Sequence, residues 1–304
     1  MFKLAHLSDP HLGPLPSPTL RELASKRALG YMNWQRNRAS KFTTAHLDGL
    51  VADIKDQAPD HIALTGDLVN IAIDAELEPA RRWLDALGSP QDVSVVPGNH
   101  DAYVPGALRK ASEIWAPYMR GDGNTGAVSY PYVRRRGDVA LIGVSSARAS
   151  APFMATGHVS SGQADRLAAC LEACGRQGLF RVVMIHHPPV RGATHWHKRL
   201  VAGSRVRKAV QASGAELVLH GHTHVNSLHW LKGRDGPVPV VCVPAASNAP
   251  GGGKPGARFN IFEIERANEG WRCHWRERGY LKPGEGVVEI SAQDLTSDLA
   301  EAAQ

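Results

Sequence analysis

The sequence has 304 residues, of which 43% are hydrophobic and 21% are charged, and its formal net charge is +6. This is the composition of an ordinary globular chain, long enough for one large α/β domain or two small ones, and its mild basicity favours anionic ligands. No apolar run reaches the roughly 18 residues of a membrane span, and the N-terminus lacks the regions of a signal peptide. We therefore expect a cytoplasmic protein whose four cysteines are buried, reduced thiols.

Five short apolar runs end in polar residues, and in chain order they predict buried strands. Each run is rich in Val, Ile and Leu, as strands covered on both faces are. The runs are FKLAHLSD, HIALTGD, DVSVVPGNHD, RVVMIHHPP and AELVLHGHTH. Helical periodicity lies between them, over residues 43–57, 74–87, 105–115, 162–174 and 199–212. The alternation of strands and helices predicts a largely parallel sheet.

A different pattern follows Gly221. The stretches SLHWL, VPVVCVPA, RFNIFEIE and WRCHWRERGY are strand patterns joined by glycine-rich turns, which predicts a second sheet within the same domain. Earlier in the chain, the stretch YVRRRG at residues 132–137 is typical of an exposed edge strand protected by charge. Beyond Val288 the chain is acidic and rich in alanine, and we expect a surface helix or a frayed end there.

The polar residues that end the five runs predict a metal centre. In an open α/β sheet, ligands bind beyond the carboxyl ends of the strands, so these side chains would converge on one crevice. Each residue alone is explained by a helix cap, a turn or a solvated imidazole, but five such strand ends together favour a shared site. Aspartate, asparagine and histidine suit Mn, Fe or Zn, and the lack of a thiol argues against structural zinc. Their number favours two ions about 3.5–4 Å apart.

The motifs DPH, GD, GNHD, HH and GHTH occur in this order between Asp9 and His224. Together they resemble the calcineurin-like metallophosphoesterases, whose blocks run D-x-H, G-D, G-N-H-D/E, H and G-H-x-H. The HHPP block and the chain length resemble those of the bacterial branch that hydrolyses cyclic nucleotides and glycerophosphodiesters. The chain also resembles cytosolic family members of phospholipase-C type. The resemblance implies an α/β fold, a four-layer αββα sandwich with two mixed sheets face to face and helices outside.

The resemblance also implies a role for each motif residue. The metal ligands would be Asp9, His11 and His224 at one ion, Asn99, His186 and His222 at the other, and Asp67 as the bridge between them. His100 would contact the phosphate and stabilise charge or protonate the leaving oxygen, while Asp101 would orient its imidazole. His186 rather than His187 would be the ligand, and His187 would either support the ligands from behind or be structural. The cofactors would be two divalent transition-metal ions, manganese in preference to iron or zinc, with a metal-activated hydroxide attacking phosphorus.

We predict one domain over residues 1–290, with an insert at about residues 17–41 and an acidic tail over residues 291–304. The insert carries the basic residues Arg21, Lys26, Arg27, Arg36, Arg38 and Lys41 against the single acid Glu22. It is either a membrane-surface helix, in which Tyr31 and Trp34 contact the substrate beside Met32, or a lid packed on the domain. In a second insert, VRGATHWHKRL, His195 and His197 are candidate substrate contacts or solvated loop residues.

The expected activity is metal-dependent phosphodiester hydrolysis, and two substrate classes remain open. One is a glycerophospholipid at the inner face of the membrane, in a reaction of phospholipase-C type, which the basic aromatic insert favours. The other is a soluble cyclic nucleotide or glycerophosphodiester. A metal-binding adaptor without activity is a third alternative, against which the full ligand set and His100 argue. We expect no nucleic-acid partner. The sequence does not indicate which oligomeric state the protein adopts.

Overall fold

The computed structural model describes residues 1–37, 44–268 and 270–296, in which strands and helices alternate. The strands are β1 (Phe2–Leu7), β2 (His61–Leu64), β3 (Val93–Val95), β4 (Tyr132–Arg136), β5 (Val139–Gly143), β6 (Gly157–His158), β7 (Phe180–Met184), β8 (Leu200–Val201), β9 (Leu217–His220), β10 (Ser227–Lys232), β11 (Pro237–Cys242), β12 (Arg258–Arg266), β13 (Trp271–Gly279) and β14 (Val288–Asp294). The helices are α1 (Leu20–Leu23), α2 (Arg27–Asn37), α3 (Thr44–Asp56), α4 (Asp74–Leu87), α5 (Ala107–Ile114), α6 (Ser161–Arg176) and α7 (Gly203–Ser213). Helical periodicity thus located α3 to α7 close to their observed bounds.

Two mixed six-stranded sheets pack face to face. The strand order is β14-β13-β12-β1-β2-β3 in the first sheet and β10-β11-β9-β7-β5-β4 in the second. Strands β1, β2 and β3 are parallel to one another, as are β5, β7, β9 and β11. Parallel neighbours run in one direction, so each set ends at one edge of its sheet. The four-layer αββα architecture implied by the resemblance is confirmed.

Alternation along the central strands explains the layers, because successive side chains point to opposite faces. Leu4 of β1 and Val182 of β7 lie in the core between the two sheets. Ala5 and Leu7 lie in the core beneath α3 and α4. Val183 lies in the core beneath α6 and α7. Both faces of these strands are covered, which is why their sequences are almost continuously apolar.

The strands after Gly221 do not form the separate sheet that was predicted. Strands β10 and β11 extend the second sheet beside β9, whereas β12 and β13 join the first sheet beside β1. The segment Val288–Asp294 is the outer strand β14, where a surface helix or frayed end was expected. Pairing with β13 satisfies the backbone N–H and C=O groups on one side of this strand, which local composition could not reveal. The tail residues 297–304 lie outside the described residues.

Strand β4 forms the predicted edge of the second sheet, but Arg134 within it is 3% exposed rather than solvated. Its guanidinium donates hydrogen bonds of 2.6–2.7 Å to four main-chain carbonyls. The carbonyls belong to Pro90, Val93, Pro117 and Arg120. A guanidinium has five N–H donors, and its burial is tolerated where acceptors satisfy them.

The cysteines are free thiols, as predicted, with Cys174, Cys242 and Cys273 buried and Cys170 partly buried. Burial raises the pKa of Cys242 to about 12, so this thiol stays protonated and unreactive. Within residues 1–37, 44–268 and 270–296, no helix combines the length and apolar character needed to cross a bilayer.

Glu76, in the first turn of α4, holds the loop that follows β2. Its carboxylate, 4% exposed, accepts N–H bonds from Asn70 (2.6 Å), Ile71 (3.2 Å) and Ile73 (3.1 Å). Glu76→Ala should lower the free energy of unfolding by about 2–5 kcal/mol, because an unsatisfied buried donor costs about 1–3 kcal/mol. Urea denaturation measures the change, with Glu78→Ala on the exposed side of α4 as the control. Equal stability of the two variants would contradict this role.

Candidate metal centre

Loops at the carboxyl ends of five parallel strands bring the predicted metal ligands to one place. The first sheet contributes the residues after β1, β2 and β3, and the second sheet those after β7 and β9. The residues are Asp9, His11, Asp67, Asn99, His186, His222 and His224. All are buried except His224, which is partly exposed. The centre therefore joins the two sheets at one end of the sandwich.

The first half of the centre consists of Asp9, His11 and His224. Asp9 Oδ1 lies 3.0 Å from His224 Nε2 and 3.8 Å from His11 Nε2. The two imidazole nitrogens lie 3.4 Å apart. Donor atoms from these three residues are within 4.8 Å of one another, which suits a single ion.

The second half consists of Asn99, His186 and His222, with Asp67 between the halves. His186 Nε2 lies 3.2 Å from Asn99 Oδ1 and 3.3 Å from Asp67 Oδ2. The ring centroids of His186 and His222 are 5.1 Å apart. Asp67 forms one group of donors with His11 and another with Asp9 and His186, each within 4.8 Å. Its carboxylate therefore reaches both halves, as a bridging ligand must.

A main-chain carbonyl accepts a hydrogen bond from one ring nitrogen of three of these histidines. The pairs are Val69 with His11 Nδ1 (3.3 Å), Thr65 with His186 Nδ1 (2.6 Å) and Lys198 with His222 Nε2 (2.9 Å). A carbonyl only accepts, so the bonded nitrogen carries a proton, and the other ring nitrogen is the one that can face a metal. Sequence reasoning missed these three carbonyls, because every residue has one.

The donor set fits divalent transition metals. Among the described residues, the ion-pair partners of the buried Asp9 and Asp67 are histidines. Burial raises the pKa of Asp67, but His186 and His100 outweigh this and hold it well below its usual range. Burial, with His187 and His186 nearby, holds the pKa of His222 well below 6.5. Ionised carboxylates and neutral imidazoles are the donors that such ions require, and the buried charges need a cation.

Five ligand residues occupy the left-handed backbone region. The φ angles are 53° at Asp9, 42° at His11, 57° at Asp67, 69° at His222 and 56° at His224. Asp and His adopt this region more readily than most residues with a side chain. Strain of this kind concentrates at functional sites, where the surrounding structure holds it in place.

Two glycines allow backbone to approach the ligands closely. A Cβ at Gly98 would lie 2.1 Å from Asp67 Oδ1, and a Cβ at Gly221 would lie 2.4 Å from Asp9 Oδ2. Both distances are far below van der Waals contact, so these positions of GNHD and GHTH exclude every side chain. The glycines thereby keep the two aspartates in position.

The structure gives Asp101 a different contact from the expected one to His100. Its buried carboxylate accepts four backbone N–H bonds of 2.8–3.3 Å. The donors are Asp67, Leu68, Val69 and Gly98. His100 Nδ1 instead bonds to the main-chain carbonyl of Asn70. Asp101 therefore fastens the loops after β2 and β3 to each other, and Asn70 orients His100.

His100 lies between the candidate metal ligands and an open cleft. Its ring is 4.8 Å from that of His11 and is stacked at 5.5 Å on Tyr103. Lys26 Nζ lies 4.8 Å from the centre of the Tyr103 ring. Tyr103 and Lys26 were not predicted as site residues, although Tyr103 follows GNHD closely enough to be suspected.

His187 has its ring nitrogens occupied by the protein. Nδ1 lies 2.8 Å from Ser146 Oγ, and Nε2 lies 3.2 Å from the carbonyl oxygen of Ala155. Burial and the neighbouring His186 lower its pKa to about 3, so the ring is neutral. Its centroid is 4.3 Å from that of His222. These contacts support the structural role expected for His187.

The cleft above the centre has a volume of about 770 Å³. Four cationic residues of the described part of the chain line it: Lys26, Arg36, Lys198 and Lys254. Three exposed apolar residues, which we call the apolar rim, line it as well: Leu29 (38% exposed), Met32 (45%) and Phe153 (83%). His197 lines the cleft, whereas the His195 ring stacks on His197, with ring centroids 5.7 Å apart, and is not among the described residues that line the cleft.

Two faces of helix α2 in the insert have different surroundings. Leu29, Met32 and Arg36 line the cleft, as their spacing of three to four residues allows. Tyr31 and Trp34, predicted to contact substrate, lie partly buried on another face, against a small core of Leu15, Ile71 and Ile73. These aromatic side chains anchor the helix to the domain, as the lid alternative predicts. Arg38 and Lys41 lie outside the described residues.

Known structures share the fold of this protein. A dimetal phosphatase from Danio rerio has a similar structure, with a TM-score of 0.64 and 14% identity over 95% of this chain and 98% of that one. A purple acid phosphatase from yellow lupin has a TM-score of 0.56 and 12% identity over 95% of this chain and 53% of that one. The 5'-nucleotidase precursor of Thermus thermophilus has a TM-score of 0.52 and 13% identity over 96% of this chain and 53% of that one. At such identities the likeness concerns the fold.

No curated protein sequence matches this chain significantly. The profile of the family described as calcineurin-like phosphoesterase matches residues 2–226, which include all five motifs. This chain therefore belongs to the calcineurin-like phosphoesterase family of hydrolases.

Proposed function

We propose that this protein hydrolyses a phosphodiester of glycerophospholipids at a membrane surface, in a reaction of phospholipase-C type with two divalent metal ions. The supporting observation is that one cleft combines the metal donors, four cationic residues and the apolar rim. A phospholipid has the matching parts, an anionic phosphodiester next to apolar chains. Peripheral contact with the inner face of the membrane is part of the proposal.

The protein's own residues supply binding and proton transfer. When bound, the two ions supply charge stabilisation for the phosphoryl oxygens and an acidified water. Asp67 holds the two halves in register, and His100, oriented by Asn70, stabilises charge on the phosphate or protonates the leaving oxygen. Manganese is the first candidate metal, with iron or zinc as alternatives, because carboxylate and imidazole ligands suit all three.

The rim and the cations have separate tasks at a membrane. Each Lys or Arg near an anionic lipid surface contributes about 1 kcal/mol of attraction. The apolar rim would contact the glycerol backbone and the upper acyl chains as the diester rises toward the metals. Lys26 is already fixed in the wall, since its Nζ donates to Ser150 Oγ (3.0 Å) and the Met154 carbonyl (2.9 Å).

Substitution of the apolar rim tests the proposal. The triple variant Leu29→Ser, Met32→Ser, Phe153→Ser should lower activity on phospholipid vesicles about tenfold or more, because each lost apolar contact removes on the order of 1 kcal/mol. Activity on the soluble diester bis-p-nitrophenyl phosphate should stay nearly unchanged, since that substrate needs only the metals and His100. Val288→Ser, an exposed apolar residue on outer strand β14, is the matched control.

Two results would count against the proposal. Equal losses on vesicles and on the soluble diester would make the rim purely structural. A wild-type enzyme that ignores phospholipid but hydrolyses a cyclic nucleotide or a glycerophosphodiester would instead favour the soluble-substrate alternative.

A further inference from the structure

A second cavity, of about 480 Å³, opens beside the loop that follows β7. Within the described ranges, three arginines line it, Arg191, Arg199 and Arg207, together with the exposed Trp196 and the first residues of α7. No aspartate or glutamate is among its lining residues within the described part of the chain. Three guanidinium groups without a local carboxylate create a concave surface of strong positive potential. We call this surface the arginine pocket.

Arg207 is held in place by a neutral partner. Its guanidinium donates a 2.7 Å hydrogen bond to the main-chain carbonyl of Pro189, which carries no compensating charge. Partial burial, together with repulsion from Arg191, lowers the pKa of Arg207. Two like charges so placed repel each other. An anion bound between them would add attraction to both and make the net electrostatic energy favourable.

The start of helix α7 adds a second attraction for anions. Its N-cap residue, Ala202, has no side-chain oxygen and therefore makes no side-chain capping hydrogen bond, although its carbonyl accepts the backbone N–H of Arg205 at 2.9 Å. Gly203 and Ser204, the first residues of this 11-residue helix, line the pocket. The N–H groups of a first turn and the positive end of the helix dipole favour phosphate and similar anions.

The arginine pocket shares a wall with the metal cleft. Trp196 and Arg199 line the pocket, while His197 and Lys198, between them in sequence, line the cleft. The carbonyl of Lys198 holds His222 Nε2 at 2.9 Å. The two cavities are therefore separate but adjacent, and an anion in one would not occupy the other.

We propose that the arginine pocket binds a phosphate group in addition to the one at the metal centre. The phosphate belongs to a soluble phosphorylated molecule or to the headgroup of an anionic lipid. Arg191, Arg199 and Arg207 contact its oxygens, and the first turn of α7 supplies backbone N–H donors. This second site is independent of whether the metal centre acts on phospholipids.

Isothermal titration of the metal-loaded enzyme with inorganic phosphate tests the pocket. Wild-type protein should bind two phosphates per chain, and Arg191→Gln, Arg199→Gln should bind one, or bind the second at least about tenfold more weakly. Hydrolysis of bis-p-nitrophenyl phosphate should be unchanged, because neither side chain lines the metal cleft. The double variant Arg82→Gln, Arg109→Gln on α4 and α5 removes the same charge elsewhere and should keep both sites.

Vesicle co-sedimentation distinguishes the source of the phosphate. Weaker binding of the pocket variant to phosphatidylglycerol vesicles, with no difference on phosphatidylcholine, supports an anionic lipid headgroup. Unchanged vesicle binding with the second phosphate lost supports a soluble ligand. A single phosphate per wild-type chain, or the same loss in the control double variant, would overturn the proposal.

Discussion

Asp67→Asn should lose metal from both halves of the centre and reduce hydrolysis of a soluble diester by about 10³-fold, since several kcal/mol of charge stabilisation disappears. An amide cannot supply the negative charge through which the carboxylate would bridge two cations. Asparagine tolerates the left-handed backbone found at Asp67 (φ 57°). It also retains a side-chain oxygen to accept the hydrogen bond of 2.7 Å that the backbone N–H of His100 donates to Asp67. The fold should therefore survive the substitution.

Elemental analysis of metal-loaded protein measures this effect directly. Wild-type enzyme should carry close to two transition-metal ions per chain, and the variant clearly fewer. Asp165→Asn, an exposed residue near the start of α6, is the control with the same chemical change. One ion per chain in fully active wild-type enzyme would refute a dinuclear centre.

His100→Ala should lower kcat by about 10²–10⁴-fold at unchanged metal content, the typical contribution of one positioned acid or donor in the transition state. The prediction follows from geometry. The imidazole lines the cleft beside His11, its orientation is fixed by the Asn70 carbonyl, and Tyr103 stacks on its face.

Rate and metal content must be measured together for this variant. His274→Ala, on β13 in the first sheet, controls for the loss of an imidazole as such. A wild-type rate would exclude His100 from catalysis. A loss of rate fully explained by a loss of metal would make His100 a ligand instead.

The fold class and the convergence of the candidate ligands could be predicted because their signals are local. Central strands covered on both faces are apolar throughout, so the runs before Asp9, Asp67 and His222 mark both the strands and their ends. Ligand chemistry needs particular side chains, and motifs at parallel strand ends converge because the sheet places them there. The seven proposed ligands consequently lie together without any adjustment.

What could not be predicted depends on contacts between distant segments. The carbonyls of Thr65, Val69 and Lys198 orient histidines, yet a backbone oxygen has no sequence signature. Strands β12 to β14 are far along the chain from β1, yet they join its sheet. The periodicity of a strand sequence does not indicate with which other strand it pairs. The burial of Tyr31 and Trp34 depends on which face of α2 meets the domain.

The left-handed backbone conformations of the ligand residues also indicate which part of this protein would lose its structure first under heat or accumulated mutation. Each such conformation costs about 1–3 kcal/mol, although less for Asp and His, and persists only while neighbouring contacts enforce it. The free energy of unfolding of a whole domain is only about 5–15 kcal/mol. A modest weakening of either sheet would let the turns at Asp9, Asp67 and His222 relax before the cores open. Inactivation would then precede denaturation, with metal released from a chain that is still largely folded.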